Sequence, residues 1–293
     1  MSYENIAEVK EYLDFIKLND SSGTFRNYSL AISKFFTYLK IDSFEDVKKI
    51  TISQCRAYQS SLISDNIARS TANTYTRSIK SLFTWLVENE YLKKSPLDKI
   101  QYLKTEQTIP TFLTVDEIDA MIKACDKLQD KLMLAILLTT GLRRNELVTL
   151  KLQDFSGEHV IVRGKGGKQR RLILEPKLAE LLNDYVEIRN KKYGDANPYL
   201  FISKMGDKYS GEAIRQKIQS IGRKAGFSEE RISQIHPHTM RHTFAANLLE
   251  SGADIKILQV GLGHASINTT SVIYAHVRDS VLDNAMLNQR AVI

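Results

Sequence analysis

Cysteine is scarce in this chain: 293 residues contain only Cys55 and Cys125. They lie far apart and form no C-x-x-C pair, which excludes a disulfide framework and a zinc ribbon. Two isolated thiols fit reduced cysteines of a cytosolic protein. Long apolar runs are also missing. The longest, Leu132 to Leu138, falls far short of the ~20 residues of a membrane span and reads as a buried helix. The opening Met1-Ser2-Tyr3-Glu4-Asn5 has no basic region leading into an apolar run, so no secretory signal is expected and the location reads as cytoplasmic. There is no G-x-x-x-x-G-K-[ST] string for a nucleotide and no H-E-x-x-H for zinc. No such string supports a nucleotide or zinc site, and no cofactor is expected. Proline and glycine are modest, at 5 and 14 residues, and no internal repeat or low-complexity tract occurs.

What is present is a surplus of positive charge: net +7, with a pI near 9.2. That permits a polyanionic partner without proving one. The surplus is shared almost evenly between the first 104 residues and the rest, so any binding face must be assembled by folding.

The length suggests two domains. Residues 1–92 read as a four-helix unit. Tyr12, Phe15 and Ile16 mark the first helix, and Tyr28, Ile32, Phe35, Phe36 and Leu39 the second. Thr51 is a candidate N-cap for the third, carrying Cys55, Tyr58 and Leu62, and Ser70 for the fourth, carrying Tyr75, Ile79, Leu82, Phe83 and Leu86. Residues 93–112 contain Ser95-Pro96 and Ile109-Pro110, have no sustained period and read as a linker. From 113 to 293 the pattern is α-rich with one small sheet. Thr114-Val115-Asp116-Glu117 has the form of a capping box, and Gly141 fits a helix stop after the apolar run. His159 to Val162 and Arg171 to Leu174 read as a hairpin around Gly164-Lys165-Gly166-Gly167. Helices are expected over about 176–192, 211–225, 238–250 and 254–261, with a last one after Arg278.

Five features carry candidate chemistry. Arg143, after Thr140-Gly141-Leu142, is either a surface arginine at a helix start or a fork for two phosphate oxygens. The hairpin segment Arg163 to Arg171 holds five basic residues and no acidic one, Lys165, Lys168, Arg170 and Arg171 among them. It is a solvated turn or a DNA probe. His238, Arg241 and His242 share one helix face. Thr239 follows His238 where a zinc helix would need Glu, so an imidazole and a guanidinium aimed at one phosphate is the alternative reading. Leu262-Gly263-His264 reads by itself as a helix-ending turn. Tyr274 reads by itself as a packed aromatic, yet it is the only tyrosine after Tyr209.

In chain order these are Arg, Lys, His-x-x-Arg, Gly-His and Tyr. The set resembles the tyrosine recombinase (phage integrase) family. Thr140-Gly141-Leu142-Arg143-x-x-Glu146-Leu147, His238-Thr239-Met240-Arg241-His242-Thr243-Phe244-Ala245 and Leu262-Gly263-His264 are similar to its signature boxes. The likeness spans the chain, and the layout is most similar to Xer-like simple recombinases. It implies a mainly α fold with a small β-sheet: a SAM-like core-binding domain and an α+β catalytic domain, closing as a C-shaped clamp on DNA. It also implies residue roles. Arg143 and Arg241 would grip the scissile phosphate, Lys168 would protonate the departing 5′ oxygen, and His238 would carry the nucleophile's proton. His264 would hydrogen-bond the phosphate, Glu146 would steady the site, and Tyr274 would attack to give a 3′-phosphotyrosine. Lys165 is the rival to Lys168.

Tyr274 lies ten positions after His264, one more than is usual in the family. One extra helical residue turns a side chain by about 100°, which bears on the subunit whose site receives it. The implied partners are double-stranded DNA with inverted half-sites, further copies of the chain in a tetrameric synapse, and a second recombinase or accessory protein, with no membrane. The apolar stripe Val281, Leu282, Ala285, Met286 and Leu287 would be a tail exchanged between subunits. Arg215, Lys217, Arg223 and Lys224 on the 211–225 helix are candidates for a DNA groove. A type IB topoisomerase and a non-catalytic architectural protein are the alternative readings.

Overall fold

A computed structural model describes residues 5–105, 111–164, 167, 169–194 and 196–262. The chain divides into two units, Met1–Gln107 and Thr108–Ile293.

The first unit is a bundle whose helices bury one stripe each. In α1 (Ala7–Asn19) the stripe is Val9, Tyr12, Leu13 and Ile16. In α2 (Ser22–Leu39) it is Ala31, Ile32, Phe35 and Phe36. The short α3 (Phe44–Lys48) is closed by a capping box between Ser43 and Asp46. The sequence reading did not foresee it, because five residues are too few to show a period. Thr51 caps α4 (Ile52–Ser64) in a box with Gln54, as expected. The next helix, α5 (Arg69–Glu88), differs from expectation at its start. Ala68, not Ser70, is its N-cap and offers no side-chain acceptor. The Arg69 guanidinium instead reaches Lys104 O at 3.2 Å, so contact with distant chain anchors this end. Aromatic rings fill the centre. Phe35 meets Tyr58 edge-on at 5.0 Å, and Trp85 lies between Tyr12 and Tyr91.

Much of the 93–112 segment packs on this bundle. Leu97 and Ile100 are buried in its core. The Asn73 side chain pairs with both Leu103 N–H and Leu103 C=O at 2.8 Å, imitating a strand partner. Lys80 Nζ donates to Ile100 O, and Gln59 Nε2 to Gln101 O.

In the second unit, Thr114 and Glu117 form the expected capping box at α6 (Val115–Lys123). Buried α7 (Leu128–Thr140) stops at Gly141, whose φ is +59°. A Cβ there would meet Phe244 at 2.4 Å, so both conformation and space require glycine. After α8 (Arg144–Thr149) comes an antiparallel sheet in the order β1 (Phe155–Ser156), β2 (His159–Arg163), β3 (Gln169–Ile173). Val160 pairs with Leu172 and Val162 with Arg170. Then follow α9 (Pro176–Tyr193), α10 (Gly211–Lys224), the unforeseen α11 (Glu229–Gln234), α12 (Pro237–Glu250) and α13 (Ile255–Leu262).

Arg189 on α9 is fully buried, and among the described residues it pairs with no carboxylate. Its nitrogens donate to the carbonyls of Gly194, Asn197 and Tyr199 and to Asn190 Oδ1, fastening the segment after the helix. Thr243 Oγ1 on α12 accepts from Leu113 N at 2.9 Å and so anchors the incoming chain.

Candidate active site

Two helix junctions and one strand bring the expected cations together. Arg143 is the N-cap residue of α8. Its backbone N–H donates to Glu146 Oε2 at 2.8 Å and its guanidinium to Glu146 Oε1 at 2.9 Å. From β3, Arg170 closes a two-pronged fork on the same carboxylate, at 3.0 and 2.8 Å. Glu146 is 6% exposed and therefore binds two cations in a largely dry setting. Burial alone would raise its pKa. The hydrogen bonds from Arg170 and Arg143 outweigh that and hold it below the usual carboxylate value.

Arg241 is 4% exposed on α12. Its guanidinium donates to Gly141 O at 2.5 Å and to Leu262 O at 2.7 Å, tying α12 to the ends of α7 and α13. Burial first, and the Arg143 charge second, push its pKa down to about 9. It still carries its charge at neutral pH, held in a field already positive.

The imidazoles follow the same logic. His238 sits at the open start of α12, exposed to solvent. The surrounding protein, then His236, Arg241, Arg144 and Arg143, lower its pKa. It is neutral above the ordinary histidine range and able to accept a proton. His242 is half-buried and is pushed down to about 4, by burial and then by His238 and His236. It is a neutral ring throughout the physiological range. The Arg144 side chain passes over Gly211, where a Cβ would meet its Nε at 2.6 Å.

Other expected residues lie differently. Arg170 is a candidate DNA contact by sequence, yet its side chain is only 11% exposed and both terminal nitrogens are committed to Glu146. Strand alternation gives the reason and was available in the sequence: Arg170 and Leu172 share the inner face of β3, while Arg171 lies on the outer face and is exposed. On α10, each candidate groove residue has an acidic partner. Arg215 pairs with Glu212, Lys217 with Asp130, Arg223 with Glu229 and Lys224 with Asp126. Arg223 and Lys224 remain exposed, Arg215 is partly covered and Lys217 is mostly covered. Lys165, Lys168, His264 and Tyr274 lie outside the described residues, as does the helix expected after Arg278. Among the described residues no group of three or more His, Cys, Asp or Glu is placed to hold a metal, and no helix is long and apolar enough to cross a membrane.

The arrangement is rich in guanidinium groups. Arg143, Arg170 and Arg241 all lie in the field of the Glu146 carboxylate. Arg241, Arg144 and Arg143 lie close enough to His238 to lower its pKa, and guanidiniums beside a proton acceptor are the groups that phosphoryl transfer employs.

Comparison with known proteins agrees. Residues 111–280 match the phage integrase family, and residues 9–90 match the phage integrase N-terminal SAM-like domain. The chain is 34% identical to tyrosine recombinase XerC of Thermodesulfovibrio yellowstonii, over 92% of this chain and 91% of that one. It is 31% identical to tyrosine recombinase XerA of Pyrococcus horikoshii, over 93% and 92%. A crystal structure of XerH site-specific recombinase bound to palindromic difH substrate, a post-cleavage complex, superposes with a TM-score of 0.76 at 24% identity, covering 93% of this chain and 82% of that one.

Proposed function

The chain belongs to the phage integrase family of tyrosine recombinases, and from that premise we propose how its own residues cut and rejoin DNA. It is a tyrosine-type site-specific recombinase, and its nucleophile is Tyr274. The observation that carries the assignment is the surplus of guanidinium charge around Glu146, with His238 at its edge.

Arg143 and Arg241 take the two non-bridging oxygens of the scissile phosphate. Their charge is fixed in place before the negative charge of the transition state develops, so little reorganisation is required at that moment. A phenol ordinarily loses its proton only near pH ~10, so as a nucleophile Tyr274 needs both a proton acceptor and a positive field. His238 accepts its proton as the phenolic oxygen bonds to phosphorus. The bond from phosphorus to the 5′ oxygen breaks, and Lys168 gives that oxygen a proton. The product is a 3′-phosphotyrosine and a free 5′ hydroxyl. Attack by the 5′ hydroxyl of a partner strand reverses these steps and releases Tyr274. The phosphotyrosine conserves the bond energy, so rejoining consumes no nucleotide. His264 completes the set as a donor to the phosphate. Arg170, through Glu146, positions Arg143.

The substrate is double-stranded DNA with inverted half-sites, and four copies of the chain act together in a synapse in the cytoplasm. The exposed Arg171, Arg223 and Lys224 and the partly covered Arg215 supply contacts to the DNA backbone, and Lys165 adds to them.

The test is Tyr274→Phe on nicked suicide duplexes. It keeps DNA binding and loses the covalent adduct on denaturing gels; an adduct in that variant overturns the assignment.

A further inference from the structure

Helix α12 carries His238 and Arg241, and it begins on a histidine. Helix N-caps are ordinarily Ser, Thr, Asp or Asn, whose oxygens accept from the first free N–H groups. His236 takes that place with extended backbone, φ −154° and ψ 171°. Its Nδ1 accepts from Thr239 N–H at 3.3 Å, and its own N–H donates back to Thr239 Oγ1 at 3.3 Å. The single hydroxyl proton of Thr239 goes to Gln234 O at 2.8 Å. As the acceptor of this box, Nδ1 takes a second share of Thr239 N–H, which also donates to His236 O at 2.8 Å, and a ring that accepts there is neutral with its proton on Nε2. A serine or asparagine would cap at any pH near neutrality, whereas an imidazole caps only while unprotonated.

The surroundings favour the neutral ring. His236 is half-buried, and burial followed by the Arg215 charge lowers its pKa. The charged and titratable groups facing it among the described residues are Arg215 from α10, and His238 and His242 further along α12. The chain leaving α11 contributes uncharged Gln234 and Ile235. The rings of His236 and His238 are 6.2 Å apart and nearly perpendicular.

We propose that His236 is a positioning residue: its unprotonated ring caps α12 and holds His238 beside Arg241, making strand cleavage sensitive to acid through this cap. The inference rests on the recombinase reading given above. Protonation converts Nδ1 from acceptor to donor and leaves Thr239 N–H with only its backbone acceptor, His236 O at 2.8 Å. It also places positive charge at the positive end of the helix dipole, next to His238. Because the folded pKa lies below the ordinary histidine value of ~6.5, the stabilisation is complete above that pH and is lost as the pH falls through the lower folded value.

The experiment compares wild type, His236→Asn and His236→Ala from pH 5 to pH 8.5. Single-turnover cleavage of a nicked duplex and thermal melting are both measured. At pH 8, His236→Asn keeps the wild-type rate within about twofold, since asparagine caps equally well, and His236→Ala is slower by roughly fivefold. At pH 5.5 the wild type has lost about three- to tenfold more of its pH 8 rate than His236→Asn has, and its melting temperature falls more steeply. Superimposable pH profiles and melting curves for wild type and His236→Asn overturn the proposal. If no variant, wild type included, forms an adduct, the recombinase reading fails; the melting curves then still decide whether His236 is a protonation-sensitive cap.

Discussion

Glu146→Gln isolates the electrostatic centre of the site with almost no change in shape. Glu146 accepts four hydrogen bonds: one from the Arg143 backbone, one from the Arg143 guanidinium and two from Arg170. A carboxamide keeps one acceptor oxygen and turns an NH2 group toward donors, so about two charge-assisted bonds are lost, each worth roughly 1.5–3 kcal/mol. Removing one partner of a buried ion pair costs about 3–5 kcal/mol. The Arg143 side is one-third exposed and screened, which reduces its share. A loss near ~3 kcal/mol is expected, or roughly 6–12 °C in the melting temperature of a domain of this size. The wild-type carboxylate has a depressed pKa. Its contribution is therefore present above the unfolded value near ~4.3 and lost as the pH falls through the folded one. The difference between wild type and variant should accordingly shrink on acidification. Cleavage of a suicide duplex should fall about 10²-fold, because Arg143 loses the group that aims it. Melting within about 2 °C of wild type, together with an unchanged cleavage rate, would show that Glu146 does not organise these arginines.

Three further changes probe other parts of the argument. Arg241→Ala should lower cleavage by about 10²–10³-fold while shifting duplex affinity by less than about tenfold, measured by adduct formation and gel shift, because affinity is spread over many phosphate contacts. Gly141→Ala should destabilise the second unit by about 3 kcal/mol in denaturant melts, since it combines a positive φ with a Cβ 2.4 Å from Phe244. Arg189→Met should cost about 3 kcal/mol, since it strips the donors from several backbone carbonyls, and it should leave the pH dependence of cleavage unaltered in shape.

The sequence discloses most where the determinants are local. The boxes at Thr51 and Thr114 join residues three apart, and Gly141 ends a helix by its own backbone preference. Short α3 and α11 escape because five or six residues carry no period, although Ser43 and Asp46 do spell a cap. The start of α5 is not legible locally, because its anchor, Lys104 O, is 35 residues away. The α10 cations looked available because Asp130 and Asp126, which pair with Lys217 and Lys224, lie 87 and 98 positions from them. Of the site, Arg143, His238 and Arg241 were legible as a set only through their resemblance to a family. The inward turn of Arg170 needed no resemblance, only the alternation of a strand.

The pairing of Asn73 with Leu103 also bears on protein engineering. Residues 97–103 behave as a permanent cover for α4 and α5, not as slack between two bodies. A chimera that takes this N-terminal unit from one recombinase and its catalytic unit from another should therefore be spliced between Thr105 and Thr111. Cutting at residue 92 would pair one parent's helices with the other parent's cover, and leave the Asn73 side chain facing a backbone it was not matched to.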